Sequence, residues 1–112
     1  MFDDLIISDT SSLILLDKID EIDLLRQVFD QVYIRTVVVR EFGNTLPEWI
    51  IVQDCSDPTR ERKLALIMDE GEASVLALAT ELADCYVLLD DNKARRYARA
   101  IEQKYWYARL IT

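Results

Sequence analysis

The sequence predicts an α/β fold, a three-layer α/β/α arrangement in which a mainly parallel sheet lies between helices. Three observations carry this. Short runs of apolar and β-branched residues alternate along the chain with stretches whose apolar residues recur at helical spacing. Only two glycines and two prolines interrupt the 112 residues, so elements are long and loops few. Apolar residues make up 51% of the chain, enough for a real core, though a small one. A chain of this length is expected to form a single domain over residues 1–112.

"LIIS" (residues 5–8) is a buried strand by its apolar run, and the Asp-Thr-Ser-Ser cluster that follows is a helix-start signal for "SSLILLDKI". "DEIDLLRQVF" sets Ile22, Leu25 and Phe29 on one helical face. "QVYIR" (31–35) is a strand by its β-branched and aromatic content. "TVVVREFGN" has strand propensity at Val37, Val38 and Val39, but Thr36 can cap a helix and Gly43-Asn44 can stop one, so a short helix is expected. "EWIIVQD" (48–54) is a strand. "DPTRERKLALIM" opens a helix, with Asp57 as cap and Pro58 in its first position. "EGEASVLALATELA" is the clearest helix, its small apolar face running through Ala73, Leu76, Ala77 and Ala79. "CYVLLD" is a buried strand. "NKARRYARAIEQKYW" is an amphipathic helix with Ala94, Tyr97, Ala98 and Ile101 turned inward.

Composition narrows the chemistry. Histidine is absent and the two cysteines, Cys55 and Cys85, lie far apart, which excludes histidine-based catalysis and the usual zinc sites and points to two free thiols. No apolar run approaches the roughly 20 residues of a membrane span, and the first residues lack a basic, signal-like start, so a cytoplasmic protein is expected. A net charge of −8 argues against a protein that coats nucleic acid, but not against a nuclease whose carboxylates hold metal. Between positions 93 and 109 the balance reverses: Lys93, Arg95, Arg96, Arg99, Lys104 and Arg109 face a single acid, Glu102.

The acids stand at strand ends. Asp9 closes the first strand, and Asp90 and Asp91 follow the last apolar run, "VLLDD". In a parallel α/β sheet, ligands bind beyond the carboxyl ends of the strands where the strand order reverses, so neighbouring strands would bring these carboxylates together. Glu41, after three valines, and Glu72, in the first turn of the clearest helix, are candidates to join them. Several carboxylates in one pocket repel unless a cation is shared, and Mg²⁺ takes oxygen ligands of this kind. A metal-bound water can attack a phosphodiester without any histidine. Each residue also has a plainer reading: Asp9 as a helix cap, Asp90 and Asp91 as turn formers, Glu41 as a solvated surface acid, Glu72 as a partner of the helix dipole, and the basic stretch as a solvated helix face.

Taken in order, "IISDTSSLILL", "VVVREF", "EGEASVLALA" and "VLLDDNKARRYA" resemble the PIN-domain superfamily, and within it a PIN-like prokaryotic family related to VapC-type toxins. The likeness covers about residues 5–100. It implies an endoribonuclease dependent on Mg²⁺ or Mn²⁺ and of the toxin–antitoxin type. It assigns Asp9, Glu41, Glu72 and Asp91 to catalysis. Asp9, Glu72 and Asp91 would hold metal, with Asp90 as a neighbour able to share the role. Ser11 would support Asp9 from behind. Lys93, Arg95, Arg96 and Arg99 would attract the RNA backbone. The implied partners are RNA, an antitoxin protein and a second copy of the chain; no membrane is implied.

Two features depart from the pattern. Ser12 stands where these relatives often have proline. "IEQKYWYARLIT" stands where they continue into another strand and further helices, so the domain is expected to be shortened at its C-terminus, with Tyr105, Trp106 and Tyr107 exposed. A truncated, catalytically inactive PIN-like interaction module is therefore the alternative function. A receiver-like phosphoacceptor domain ranks below both, for want of a late-strand lysine.

Overall fold

The structure, a computed structural model, describes residues 4–82, 84–90, 92–100, 103 and 105–106. The elements run β1 (Leu5–Ser8), α1 (Thr10–Lys18), α2 (Leu24–Val28), β2 (Gln31–Ile34), α3 (Thr36–Phe42), β3 (Ile50–Val52), α4 (Thr59–Leu64), α5 (Glu70–Leu82), β4 (Tyr86–Leu88), α6 (Asn92–Ala100) and β5 (Tyr105–Trp106).

The sheet has the order β3-β2-β1-β4-β5, and every neighbouring pair is parallel. From β1 the chain moves outward to β2 and β3, then returns across β1 to place β4 on its other side. The direction of winding therefore reverses between β1 and β4, which opens a crevice at their carboxyl ends.

Alternation along the strands builds the three layers. Ile6 faces one core and Ile7 the other, because successive side chains of a strand point to opposite faces. On the first face Ile6, Val32, Ile34 and Leu88 pack against Leu13 and Leu16 of α1, Leu25 of α2, and Val38 and Phe42 of α3. On the second, Ile7, Val87 and Leu89 pack against Val75, Leu76 and Leu78 of α5 and Ala94 and Ala98 of α6. Each fully buried aliphatic side chain contributes about 1.5–3 kcal/mol by leaving water. Helix α5 is buried continuously from Gly71 to Ala79, since α3, α4 and α6 as well as the sheet surround it. Small residues at Ala73, Ser74, Ala77 and Ala79 let these neighbours approach.

The elements follow the sequence closely, with local differences. Thr36 does not cap α3 but is its first residue; Arg35 is the cap, and the Asp54 carboxylate accepts the Thr36 N–H at 3.1 Å. Gly43 stops α3 as expected, in the left-handed conformation at φ 74° that a side chain would strain. Pro58 precedes α4 rather than opening it, while Asp57 accepts the Thr59 N–H at 3.0 Å. The largest difference lies near the end of the chain. Helix α6 stops at Ala100, and Tyr105–Trp106 pairs with β4 instead of prolonging the helix. Gln103 is anchored between them: its N–H donates to the Ala98 carbonyl at 2.7 Å and its side-chain amide to the Cys85 carbonyl at 2.6 Å. The backbone groups along the outer side of β4 give an aromatic pair a reason to join the sheet. Part of the segment expected to replace a strand thus forms one. Tyr105 is half-buried against the second core rather than exposed; Tyr107 lies outside the described residues, as does Ile101.

Candidate active site

Three chain segments meet beyond the carboxyl ends of β1 and β4. The first is the β1–α1 junction. Asp9 follows Ser8 in extended backbone and caps α1, its Oδ1 accepting the Ser12 N–H at 2.8 Å. Its Oδ2 accepts the Asp90 N–H at 3.1 Å, across 81 residues of sequence. The Asp9 N–H in turn donates to the Leu88 carbonyl at 3.1 Å. Strand β1 is thereby tied to the end of β4 through the acid itself, and capping and a site role coexist in one residue.

Asp9 is only 1% exposed. Burial pushes its carboxyl up to about 6 from an ordinary 3.8; the neighbouring Ser12 hydroxyl and the Ser12 and Asp90 N–H groups pull it back, and the Asp90 charge adds to the rise. The fully buried Ser12 hydroxyl meets no hydrogen-bond partner in good geometry among the described residues, though it lies near enough to favour the charge on Asp9. Ser11 is exposed, so the serine beside Asp9 is Ser12.

The second segment is the last turn of α3. Glu41 accepts a hydrogen bond from the Thr10 hydroxyl at 2.6 Å. The third is the first turn of α5, where Gly71 precedes the buried Glu72. Gly71 is what lets the segments close: a Cβ there would stand 2.9 Å from Glu41 Oε1 and 3.1 Å from Thr10 Oγ1. The segments that carry Asp9 and Thr10, Glu41, and Gly71 and Glu72 are therefore drawn together, and Asp90 adjoins Asp9 through its N–H. Asp91 lies outside the described residues.

The donors offered here are oxygens alone, which suits a hard divalent cation. Each Asp9 oxygen accepts one N–H and keeps a second lone pair. A buried carboxyl whose ionisation is penalised is also one that a cation would relieve. Among the described residues, no three Asp, Glu or Cys side chains stand close enough to hold a metal ion as a ready-made group.

The basic helix begins directly after Asp91. Arg96 and Arg99 are exposed, while Arg95 is half-buried and donates to the Leu89 carbonyl at 3.4 Å; the Lys93 side chain lies outside the described residues.

Two features escaped the sequence reading. Thr10 looked like a capping hydroxyl, and nothing local joins it to a glutamate 31 residues away. Arg35, at the end of β2, is 6% exposed and reaches three other segments. Its Nε bonds Asp54 at 3.0 Å beyond β3, one terminal nitrogen meets Glu61 of α4 at 2.7 Å, and the other donates to the Ser74 carbonyl of α5. Burial opposes the Arg35 charge, but the bonds to Glu61 and Asp54 outweigh it and raise its pKa. The Thr36 hydroxyl, with Arg35, holds Asp54 below its usual range. This network locks the β2–α3 corner, and with it the helix that carries Glu41.

No curated protein gives a significant match to the chain. The family model DUF3368, a PIN domain, matches residues 5–106. With that model spanning nearly all of the chain and an acidic crevice at the reversal point of a parallel sheet, the protein belongs to this family of PIN domains.

Proposed function

We propose that the protein is a metal-dependent endoribonuclease of the toxin–antitoxin type. PIN domains are generally metal-dependent nucleases. The observation that carries the reading is the Asp9 carboxylate, buried at the reversal point and bonded to the backbone at Asp90, with Glu41 held by the neighbouring Thr10 against Gly71. Asp9, Glu72 and Asp91 would hold Mg²⁺ or Mn²⁺, with Asp90 able to contribute and Glu41 completing the acidic set. When bound, such an ion activates water and stabilises charge on a phosphodiester. The Thr10 hydroxyl orients Glu41, and the Ser12 and Asp90 N–H groups orient Asp9. Lys93, Arg95, Arg96 and Arg99 attract the RNA backbone toward the carboxylates. An antitoxin protein, a homodimer and a cytoplasmic setting go with this reading; no helix among the described residues is long and apolar enough to cross a membrane.

The test is cleavage of single-stranded RNA by the purified chain in Mn²⁺. Activity is expected, and Asp9→Ala and Asp91→Ala should each abolish it, because residues that act as a unit fail together. An active Asp9→Ala variant would overturn the assignment.

A second reading, a PIN-like module that binds a protein and cuts nothing, is favoured by the exposed apolar pair Leu66 and Ile67 and by the lack of a ready-made three-carboxylate group among the described residues. Absence of cleavage under any divalent metal would select it.

A further inference from the structure

The two most exposed large apolar side chains among the described residues lie in the turn between α4 and α5. Leu66 is 84% exposed and Ile67 59%. With Met68, Arg96 and Tyr97 they line an open groove of about 600 Å³, within the size range of ligand sites. A second depression of about 290 Å³ shares Tyr97 and is walled by Arg60 and Lys63 of α4. Asp57 also borders it, but its Oδ1 already accepts the Thr59 N–H and hydroxyl at 3.0 and 2.7 Å. On a chain of net charge −8, three exposed cations thus surround one half-buried tyrosine.

The groove's walls are continuous in the chain with the acidic segments. Helix α6 starts directly after Asp90 and Asp91, so Arg96 and Tyr97 lie about 6–8 Å along its axis. The Leu66–Met68 wall leads within two residues into Glu70, where α5 begins and Gly71 and Glu72 follow. Both walls spring from segments that supply candidate carboxylates.

Charge complementarity selects an anionic ligand, and the aromatic and aliphatic floor selects a flat apolar group on it. We propose that this groove holds an unpaired nucleobase of single-stranded RNA. Tyr97 is its stacking face, Leu66 and Ile67 are its wall, and Arg96, Arg60 and Lys63 neutralise the flanking phosphates. The proposal rests on the ribonuclease reading and adds to it a base subsite built by α6 and the α4–α5 turn. Paired bases in duplex RNA cannot enter such a groove, whereas stacking on an aromatic side chain tolerates any base.

The experiment measures binding of the full chain, in EDTA to prevent cleavage, to three fluorescent probes: a short single-stranded RNA, the same strand with abasic sites, and a duplex. The abasic strand and the duplex should each bind about tenfold more weakly than the base-bearing strand. Tyr97→Leu should lose about tenfold for the base-bearing strand only, and Tyr97→Phe should retain binding. Because Tyr97 touches the core, Leu66→Asp and Ile67→Asp, both at exposed positions, serve as second variants and should weaken binding to the same strand. Arg60→Ala should lower the salt dependence by about one counterion. Equal binding of abasic and base-bearing strands by a chain that cuts RNA overturns the groove assignment and leaves the ribonuclease reading standing. A wild-type chain that neither binds nor cuts RNA overturns both. A dimer in sedimentation that Leu66→Asp splits, with RNA binding unchanged, makes the groove an interface between copies and overturns the proposal as well.

Discussion

Replacing Asp9 by asparagine separates the energetic cost of this acid from its use. Its carboxyl rises from 3.8 to about 6 in the folded state. Folding therefore favours the protonated form. That contribution is complete below about pH 4 and is lost as pH climbs through about 6. The difference of roughly two pKa units corresponds to about 3 kcal/mol at neutral pH. Asparagine removes the charge and keeps the shape, but its amide accepts only one of the two N–H bonds that Asp9 now accepts from Ser12 and Asp90. Leaving one buried donor unmet costs about 1–3 kcal/mol. Without metal, at about pH 7.5, Asp9→Asn should be as stable as the wild type or up to about 2 kcal/mol more stable, several degrees in melting temperature. The sharper quantity is a double difference. Urea unfolding in EDTA at about pH 4 and pH 7.5 should show the variant gaining about 2–2.5 kcal/mol on the wild type between the two, since all other titrating groups cancel. Mg²⁺ or Mn²⁺ should raise the midpoint of the wild type by mass action and that of the variant less. A variant that follows the wild-type pH slope, or that loses more than about 1 kcal/mol at pH 7.5 without metal, would refute the reasoning. Asp9 would then be an ordinary cap whose charge the fold welcomes.

Other expectations follow from the same contacts. Gly71→Ala should leave the melting temperature unchanged or slightly raised, since alanine favours a helix by up to about 1 kcal/mol; it should cut RNA cleavage sharply by pushing the Glu41 carboxylate off Thr10. Equal activity in the variant would show that the position of Glu41 is immaterial. Arg35→Met should destabilise by about 3–5 kcal/mol in urea unfolding, because it strands Glu61 and the Ser74 carbonyl around an absent charge; a loss under 1 kcal/mol would show the network to be loosely held. The Cys55 thiol is pushed up by burial, and the Cys85 thiol is buried and donates to the Ala79 carbonyl at 3.8 Å. Both should react slowly with an aromatic disulfide reagent in the native chain and promptly, as two thiols, after unfolding.

What could be read from the sequence was local. Asp9 announced itself because an apolar strand, an acid and a polar helix start are contiguous, and a strand end followed by a helix has only a few geometries. Helix α5 was legible because its small apolar residues recur at helical spacing, and β4 because its run is uninterrupted. The adjacency of β1 and β4 could be inferred only by supposing that the acids meet, and the register of Ile6 with Tyr86 and Ser8 with Leu88 makes the strands neighbours. Contacts between distant segments were out of reach. The pairing of Thr10 with Glu41 and the reach of Arg35 to Asp54, Glu61 and Ser74 leave no periodic trace. The end of α6 was misread for a different reason. The sequence over residues 101–106 continues a helical pattern well enough, and only the backbone groups along the outer side of β4 decide for a strand at Tyr105–Trp106. The hydroxyl beside Asp9 was assigned one position early, to Ser11, because a helix start fixes its side-chain directions only once the cap is known.

The hydrogen bond from Asp90 to Asp9 spans 81 residues, and it joins the two strands between which the winding reverses. The N-terminal half, β1 through β3 with its helices, can assemble from neighbours in the chain. The crevice cannot, because its other wall arrives only when β4 slides in beside β1. Non-local parallel pairing of this kind is among the slower steps of folding. During synthesis the first acid emerges from the ribosome long before its counterpart, and a chain not yet extended past β4 lacks Asp90 and Asp91. On the ribonuclease reading proposed above, competence would come late in the life of each molecule, gated by the docking of a three-residue strand. A nascent or nicked chain without β4 would then cut no RNA while still owning Asp9, Glu41 and Glu72.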